Sequence, residues 1–225
     1  MTGVTAKAVS WTESGLVPDS VVRAGIRRLL DRKRKEIRSG NVEAAANTLN
    51  QFVDMMNASP IALVPHLANE QHYEVAAEFF AEVMGDHLKY SCCYWPNDVC
   101  SLSEAETAAL ELTVKRAGIE DGMSVLDLGC GWGSLSLWIA EHFPNASVRS
   151  VSNSAAQRDF ILGQVADRSI RNVNVTVCDM NDFATTDTFD RAVSVEMFEH
   201  MRNYGELFRR IDGWLKPGGR FFMHI

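Results

Sequence analysis

The sequence predicts an α/β protein in which a doubly wound, Rossmann-like parallel sheet stands behind a helical N-terminal cap. Three observations carry that expectation. From Ser124 onward, short apolar runs alternate with segments of helical periodicity, the texture of successive βαβ units. The first of these runs, Val125-Leu126-Asp127-Leu128, opens directly onto Gly129-Cys130-Gly131-Trp132-Gly133 and then a helical pattern. The first hundred residues show apolar spacing of three and four without any strand alternation.

Residues 1–17 read as a flexible tail and 18–115 as the cap. Pro18-Asp19-Ser20 starts a helix with Val22, Ile26, Leu29 and Leu30 on one face and arginines on the other. A second helix uses Leu49, Phe52, Val53 and Met56 and is broken by Ser59-Pro60 and Pro65. A third, near Tyr73 to Met84, buries Phe79, Phe80 and Val83. The core occupies 116–225. Its strands are Ser124–Leu128, Ser147–Ser152, Val173–Cys178, Arg191–Val195 and Arg220–Ile225. Helices run from Gly133 to His142, from Ser154 to Asp167, and through Leu207, Ile211 and Trp214; Lys216-Pro217-Gly218-Gly219 is a turn.

With 225 residues the chain holds one α/β core and a helical extension. A formal charge of −7 argues against a general nucleic-acid binder, which needs a basic face. One stretch departs from that balance: Asp19 to Arg38 carries eight Lys/Arg against three acids. It is either a solvated face or a surface for an acidic partner or an anionic membrane. No opening segment has a signal-peptide pattern and no apolar run reaches the length of a membrane span. The expectation is a cytoplasmic protein without stable membrane insertion, and a homodimer is compatible with it. Five cysteines, an odd number, fit reduced thiols. His87, Cys92, Cys93 and Cys100 lack the spacing of a zinc site, so buried thiols and no metal are expected.

The glycine loop is G-x-G-x-G rather than the G-x-G-x-x-G of dinucleotide enzymes. It lets the backbone turn tightly and approach a ligand. The second strand ends in Ser150-Val151-Ser152-Asn153-Ser154-Ala155-Ala156-Gln157, without the acid that holds a nicotinamide cofactor's ribose. Those two features favour S-adenosylmethionine, whose amino acid end takes the place of a pyrophosphate. Asp127 would hold its ammonium, directly or through water. Asn153 and Gln157 would take the ribose, although Ser152, Asn153 or Ser154 could equally cap the helix. Asp179, leaving the third strand, can accept a hydrogen bond from the adenine amino group while Met180 packs on the ring; a plain polar loop is the other reading.

His87-Leu88-Lys89-Tyr90-Ser91-Cys92-Cys93-Tyr94-Trp95, the glycine loop, Val151 to Gln157, and Val195-Glu196-Met197-Phe198-Glu199-His200-Met201 together resemble the coclaurine N-methyltransferase family, close to the cyclopropane fatty acid synthases. The resemblance begins near Pro18, includes Leu67-Ala68-Asn69-Glu70-Gln71-His72-Tyr73, and runs to the last residue. It implies a seven-strand, class I methyltransferase core and methyl transfer from S-adenosylmethionine to the nitrogen of a small-molecule amine, of the benzylisoquinoline type. It implies further that Tyr90 and Ser91 close over a cofactor lined by Gly129, Gly131, Asn153, Gln157, Asp179 and Met180, with Glu196, Glu199 and His200 facing the acceptor. Such a core adds two strands after the fifth, so a chain stopping at Ile225 is expected to be a partial product with poor turnover and an uncovered apolar edge.

The chemistry agrees with that implication. An ammonium must lose a proton before its nitrogen attacks. Glu196 or Glu199 can attract it, and His200, as a histidine, can take the proton. A Glu-x-x-Glu-His run can also be a polar helix start. Tyr204, Tyr94 and Trp95 either add cation–π attraction or belong to the core. Cyclopropane synthases generally carry glycine where Glu196 stands, so an amine is expected over a lipid alkene. The rivals are lipid alkylation of the cyclopropane type and a non-catalytic cofactor-binding module.

Overall fold

Strand β1 (Ser124–Leu128) is the middle of a five-stranded sheet with β2 (Ser147–Ser152), β3 (Val173–Val177), β4 (Phe189–Val195) and β5 (Leu215–His224). In the computed structural model the order is β3-β2-β1-β4-β5 and every neighbouring pair is parallel. The structure describes residues 3–37, 41–63 and 77–225. Its helices are α1 (Gly3–Glu13), α2 (Asp19–Ile37), α3 (Val42–Asn57), α4 (Ala77–Val83), α5 (Leu102–Ala117), α6 (Ser134–His142), α7 (Ala155–Asp167) and α8 (Tyr204–Trp214).

The central strand is buried on both faces, as parallel sheets require. Leu126 and Leu128 pack with Phe198, Leu207, Ile211 and Trp214 on the α8 side. Val125 packs with Leu110, Val114, Leu135 and Ile139 on the side covered by α5 and α6. Asp127 alternates onto that second side, which brings it to α6. The chain order reverses between β1 and β4, so their carboxyl ends border the crevice where open α/β sheets take ligands.

Several expectations are corrected. The tail assigned to 1–17 contains α1. By compactness the chain divides into units Met1–Met55 and Met56–Ile225. The second unit begins with a segment tied to the core by side-chain amides. Asn181 exchanges hydrogen bonds with the Ala62 backbone at 3.0 and 2.9 Å, and Asn203 donates to the Asn57 and Ser59 carbonyls at 2.9 Å.

Helix α5 was not anticipated, although its start is legible. The Ser101 hydroxyl accepts from the Glu104 N–H at 3.3 Å, and Glu104 accepts in return from the Ser101 N–H at 2.9 Å. This is a capping box.

In α4 Phe80 is buried, while Phe79 and Val83 are exposed. No residue of α2 or α3 is buried. The expected turn at Lys216–Gly219 becomes a bulge inside β5, between the register pairs Phe189↔Leu215 and Arg191↔Arg220. A Lys216–Asp190 ion pair at 2.7 Å holds it. β5 forms one edge of the sheet.

Candidate functional site

A cleft at the carboxyl ends of β1 and β4 is lined by Tyr90, Ser91, Asp127, Gly129, Gly131 and Val195, among others. It thus gathers five of the residues singled out from sequence. The glycine loop shapes its floor. Gly129 has φ +78°, and a Cβ there would lie 2.9 Å from that of Met197, so both backbone and space demand glycine. Gly131 has φ +54° and faces open space, where a side chain would project into the cleft.

Asp127 is only 2% exposed. Its Oδ2 accepts from the Ser136 hydroxyl at 2.6 Å, and Ser150 donates to Ser136 at 2.7 Å. Burial pushes the Asp127 carboxyl up to about 6, with the Ser136 hydrogen bond opposing the shift. A carboxyl in that state gains most from a cation that enters beside it.

The roof is the segment between α4 and α5, and its organiser went unnoticed in the sequence. Glu106, 1% exposed on α5, accepts from the N–H groups of Gly85 (2.9 Å), His87 (2.9 Å) and Lys89 (3.2 Å). Phe80 adds an aromatic bridge, with its ring centroid 5.0 Å from both Tyr90 and Trp132. Lys89 is buried and lines the cleft, its ammonium donating to the Ser91 hydroxyl and the Cys92 carbonyl. Buried charge at the cleft gave no signal of its own in the sequence.

At the end of β2, the helix-cap alternative falls to Ser154, whose hydroxyl accepts from the Gln157 N–H at 3.4 Å. Gln157 is buried. Its Oε1 accepts from the Ser152 hydroxyl at 2.6 Å, while Nε2 has no partner among the described residues. Ser134 Oγ and Trp132 Nε1, both from cleft-lining residues, are likewise buried without a partner there. Unpaired buried polar atoms are rare and call for a ligand or water. Asn153 lies half-buried between Ser152 and Ser154. Asp179 accepts from the Asn181 N–H at 2.7 Å, a turn-forming contact, and Met180 is buried in the core with Leu128 and Val151.

Glu196 follows β4 with φ +51°, a conformation rare for a residue with a side chain. Its N–H donates to the His224 carbonyl at 2.8 Å, and its Oε1 accepts from the Cys92 N–H at 3.0 Å. Partial burial would raise its carboxyl. The Cys92 N–H and thiol and the charges of Lys89 and His224 outweigh burial and hold it below the usual range. Glu199 and His200 sit exposed on a 3-10 turn, Phe198–His200; neither they nor Glu196, which adjoins the lining residue Val195, is among the residues that line the cleft.

Tyr204 takes the core alternative. Its hydroxyl donates to the Phe198 carbonyl at 3.0 Å and its ring stacks on Phe198. Tyr94 and Trp95 are exposed. The four-residue zinc set weighed from sequence does not assemble: His87 contacts Thr107 and Trp138 instead. Nor are the cysteines uniformly buried, since Cys92 and Cys100 are exposed, though all five are free.

Among the described residues no helix is long and apolar enough to cross a membrane. The resemblance segment Leu67 to Tyr73 lies outside the described residues.

Comparison with known proteins bears on this geometry. The chain is 40% identical to (S)-coclaurine N-methyltransferase of Thalictrum flavum subsp. glaucum over 214 residues, covering 95% of this chain and 59% of that protein. Against the enzyme of the same name from Papaver somniferum the figures are 35%, 94% and 60%. The chain therefore spans about three-fifths of the length of these relatives. Its fold superposes with a TM-score of 0.85 on a crystal structure of coclaurine N-methyltransferase bound to N-methylheliamine and SAH, at 35% identity, covering 99% of this chain and 64% of that one. Residues 65–225 match the family model described as mycolic acid cyclopropane synthetase, and the chain belongs to that family.

Proposed function

We propose that the protein is an S-adenosylmethionine-dependent N-methyltransferase acting on a small-molecule amine of the benzylisoquinoline type. The observation that carries the amine is Glu196. It is a carboxylate held ionised at the end of β4, fixed by the Cys92 N–H across the roof of the cleft. An ammonium about 4 Å from it would gain roughly 4 kcal/mol at an effective dielectric of 20, before desolvation. Bicarbonate, the anion that cyclopropane formation requires, would be repelled.

The residues present fit the cofactor. Asp127 would receive its ammonium, Gly129 and Gly131 would let the backbone lie against it, and Tyr90 and Ser91 would cover it. The unpaired Nε2 of Gln157, with Asn153, would meet the ribose hydroxyls. Asp179 would accept from the adenine amino group, since a carboxylate can take several hydrogen bonds, with Met180 packed against the ring. When bound, S-adenosylmethionine supplies an electrophilic methyl group on a sulfonium centre.

The chain's own work is to position and to move a proton. Glu196 draws the substrate ammonium to the β4 end of the cleft, with Glu199 adding negative charge nearby. His200 takes the proton that frees the nitrogen lone pair, and the covered cleft holds the nitrogen in line, where positioning supplies much of the rate. The five free cysteines support a reducing compartment, and we assign the protein to the cytoplasm.

A methyl-donor assay with radiolabelled S-adenosylmethionine, offering amines, catechols and unsaturated phospholipid with bicarbonate, tests the proposal. Label should enter the amines alone. Bicarbonate-dependent label in phospholipid, with every amine refused, would replace this reading with lipid alkylation.

A further inference from the structure

At the β4 end of the cleft, three side chains that the proposed chemistry does not use together converge. Cys92 comes from the roof, Glu196 from the end of β4 and His224 from the end of β5. Their donor atoms all lie within 4.8 Å of one another, the one such group among the described residues. Cys92 Sγ and His224 Nε2 are 3.7 Å apart.

We propose that Cys92, Glu196 and His224 form a binding site for a single zinc-class ion, with the fourth position left to water or a small ligand. The donor set is one sulfur, one imidazole nitrogen and one carboxylate oxygen. That mixture suits Zn2+ and its spectroscopic surrogate Co2+, and not the all-oxygen preference of Mg2+ or Ca2+. Zinc bonds of about 2.3 Å to sulfur and 2.0–2.1 Å to nitrogen at a tetrahedral angle put the two donors about 3.5 Å apart. The observed separation is close to that edge before any ion is present.

The three residues are also tied to each other through the backbone. The Cys92 N–H fixes the Glu196 carboxylate at 3.0 Å, and the Glu196 N–H fixes the His224 carbonyl at 2.8 Å. The strained φ of +51° at Glu196 belongs to this arrangement. Pre-oriented ligands lower the ordering cost of binding.

Three protein ligands and a vacant position describe an accessible site rather than a closed structural one. Ion entry converts the Cys92 S–H to a metal-bound thiolate and releases that proton to solvent. The ion would also neutralise the Glu196 carboxylate, so ion and substrate ammonium exclude each other. In that last consequence alone the inference rests on the proposed function.

The test uses the full chain, stripped with chelator and titrated with Co2+ while near-ultraviolet thiolate-to-cobalt charge-transfer absorption is followed. Zn2+ then displaces the cobalt. One ion per chain is expected, with the band lost in Cys92→Ser and affinity weakened at least about ten-fold in His224→Gln. Cys93→Ser and Cys100→Ser should bind as the parent does. Circular dichroism and retained binding of S-adenosylhomocysteine show whether the Cys92 and His224 variants stay folded, and a conservative Cys92→Ala serves if serine does not. No charge-transfer band in the parent, or a full band in folded Cys92→Ser, overturns the site. Because the readout is the ion, a protein that methylates amines and binds no cobalt loses this site and keeps its proposed function.

Discussion

Two carboxylates stand at the ends of β1 and β4, Asp127 in the lining of the cleft and Glu196 one residue beyond the lining residue Val195, and they are tuned in opposite directions. Asp127, enclosed at the end of β1 with one hydroxyl partner, is pushed up to about 6. Glu196, half-buried beyond β4, is held below its ordinary range because a backbone N–H, a thiol and two basic neighbours outweigh its burial. The difference is one of completion. Among the described residues no cation offsets the burial of Asp127, and a ligand ammonium would do so. Glu196 already has its partners and stands charged, ready to attract an ammonium from solvent. On this view the β1 end recognises the cofactor and the β4 end recruits the acceptor, and substitutions should separate the two.

The largest separation is expected at Gly131. Gly131→Leu places a bulky side chain in the cleft from a backbone at φ +54°, where a residue with Cβ also costs about 1–2 kcal/mol. Binding of S-adenosylhomocysteine, measured by calorimetry, should fall below detection while circular dichroism stays that of the parent. Parent-like affinity would remove the glycine loop from the cofactor site.

Next in size is Asp127→Asn. Loss of a charged hydrogen bond worth about 1.5–3 kcal/mol should weaken S-adenosylhomocysteine roughly 10- to 100-fold. The pH behaviour sharpens this. In the parent the ionised form binds the ammonium, so with a carboxyl at about 6 the affinity should be about ten-fold lower at pH 5 than at pH 7. The variant should lack that dependence. Stability runs the other way. A carboxyl raised by folding contributes stability that is full below its unfolded value near 3.8 and lost as pH rises through about 6. The ligand-free parent should therefore lose thermal stability over that window, and Asp127→Asn should not.

How much of this comparison the sequence could show follows from how local each end is. The Asp127 end is mostly local: strand, glycine loop and helix occupy Ser124 to His142, and contacts from farther along the chain, Ser150 on Ser136 and Met197 beside Gly129, complete it. β1, β2 and α8 accordingly fall where periodicity put them. The Glu196 end is assembled from residues 92, 196 and 224, and no spacing rule connects those. Its run Glu196 to His200 is conspicuous in sequence, yet the structure turns Glu196 toward Cys92 and leaves Glu199 and His200 on an exposed turn. Glu106 was missed for a related reason. A glutamate inside an amphipathic helix reads as solvated, and only the 85–89 backbone folding over it makes it an anchor. The Ser101 and Glu104 pair is the reverse case, a local signal that was present and passed over.

A mid-sized effect is expected at Glu196 itself. Glu196→Gln keeps the shape and a hydrogen-bond acceptor for the Cys92 N–H but removes the charge. Amine kcat/KM should fall roughly 10- to 100-fold, with S-adenosylhomocysteine affinity changed less than about two-fold, within the spread of substitutions remote from a ligand. His200→Ala should instead lower kcat for the amine while leaving S-adenosylhomocysteine affinity unchanged. If Glu196→Gln weakens the cofactor as much as it weakens the amine, the division between the two ends is wrong.

The smallest effect tests what joins them. The roof segment carries Tyr90 and Ser91 toward the Asp127 end and Cys92 toward Glu196, and Glu106 anchors it through three backbone N–H groups. Glu106→Gln exchanges one accepting oxygen for an NH2 group, which confronts an N–H with another donor in a buried place. A cost of about 1–3 kcal/mol is expected, most of it local to the roof. Unlike the other substitutions it should act on both ends together, so S-adenosylhomocysteine affinity and amine KM shift in the same direction by similar, few-fold factors. Hydrogen exchange at the Gly85, His87 and Lys89 amides should quicken while the β1 and β4 amides keep their protection. Faster exchange confined to α5, or a shift at one end of the cleft alone, would mean that the roof is held by Phe80 stacking and not by the Glu106 carboxylate.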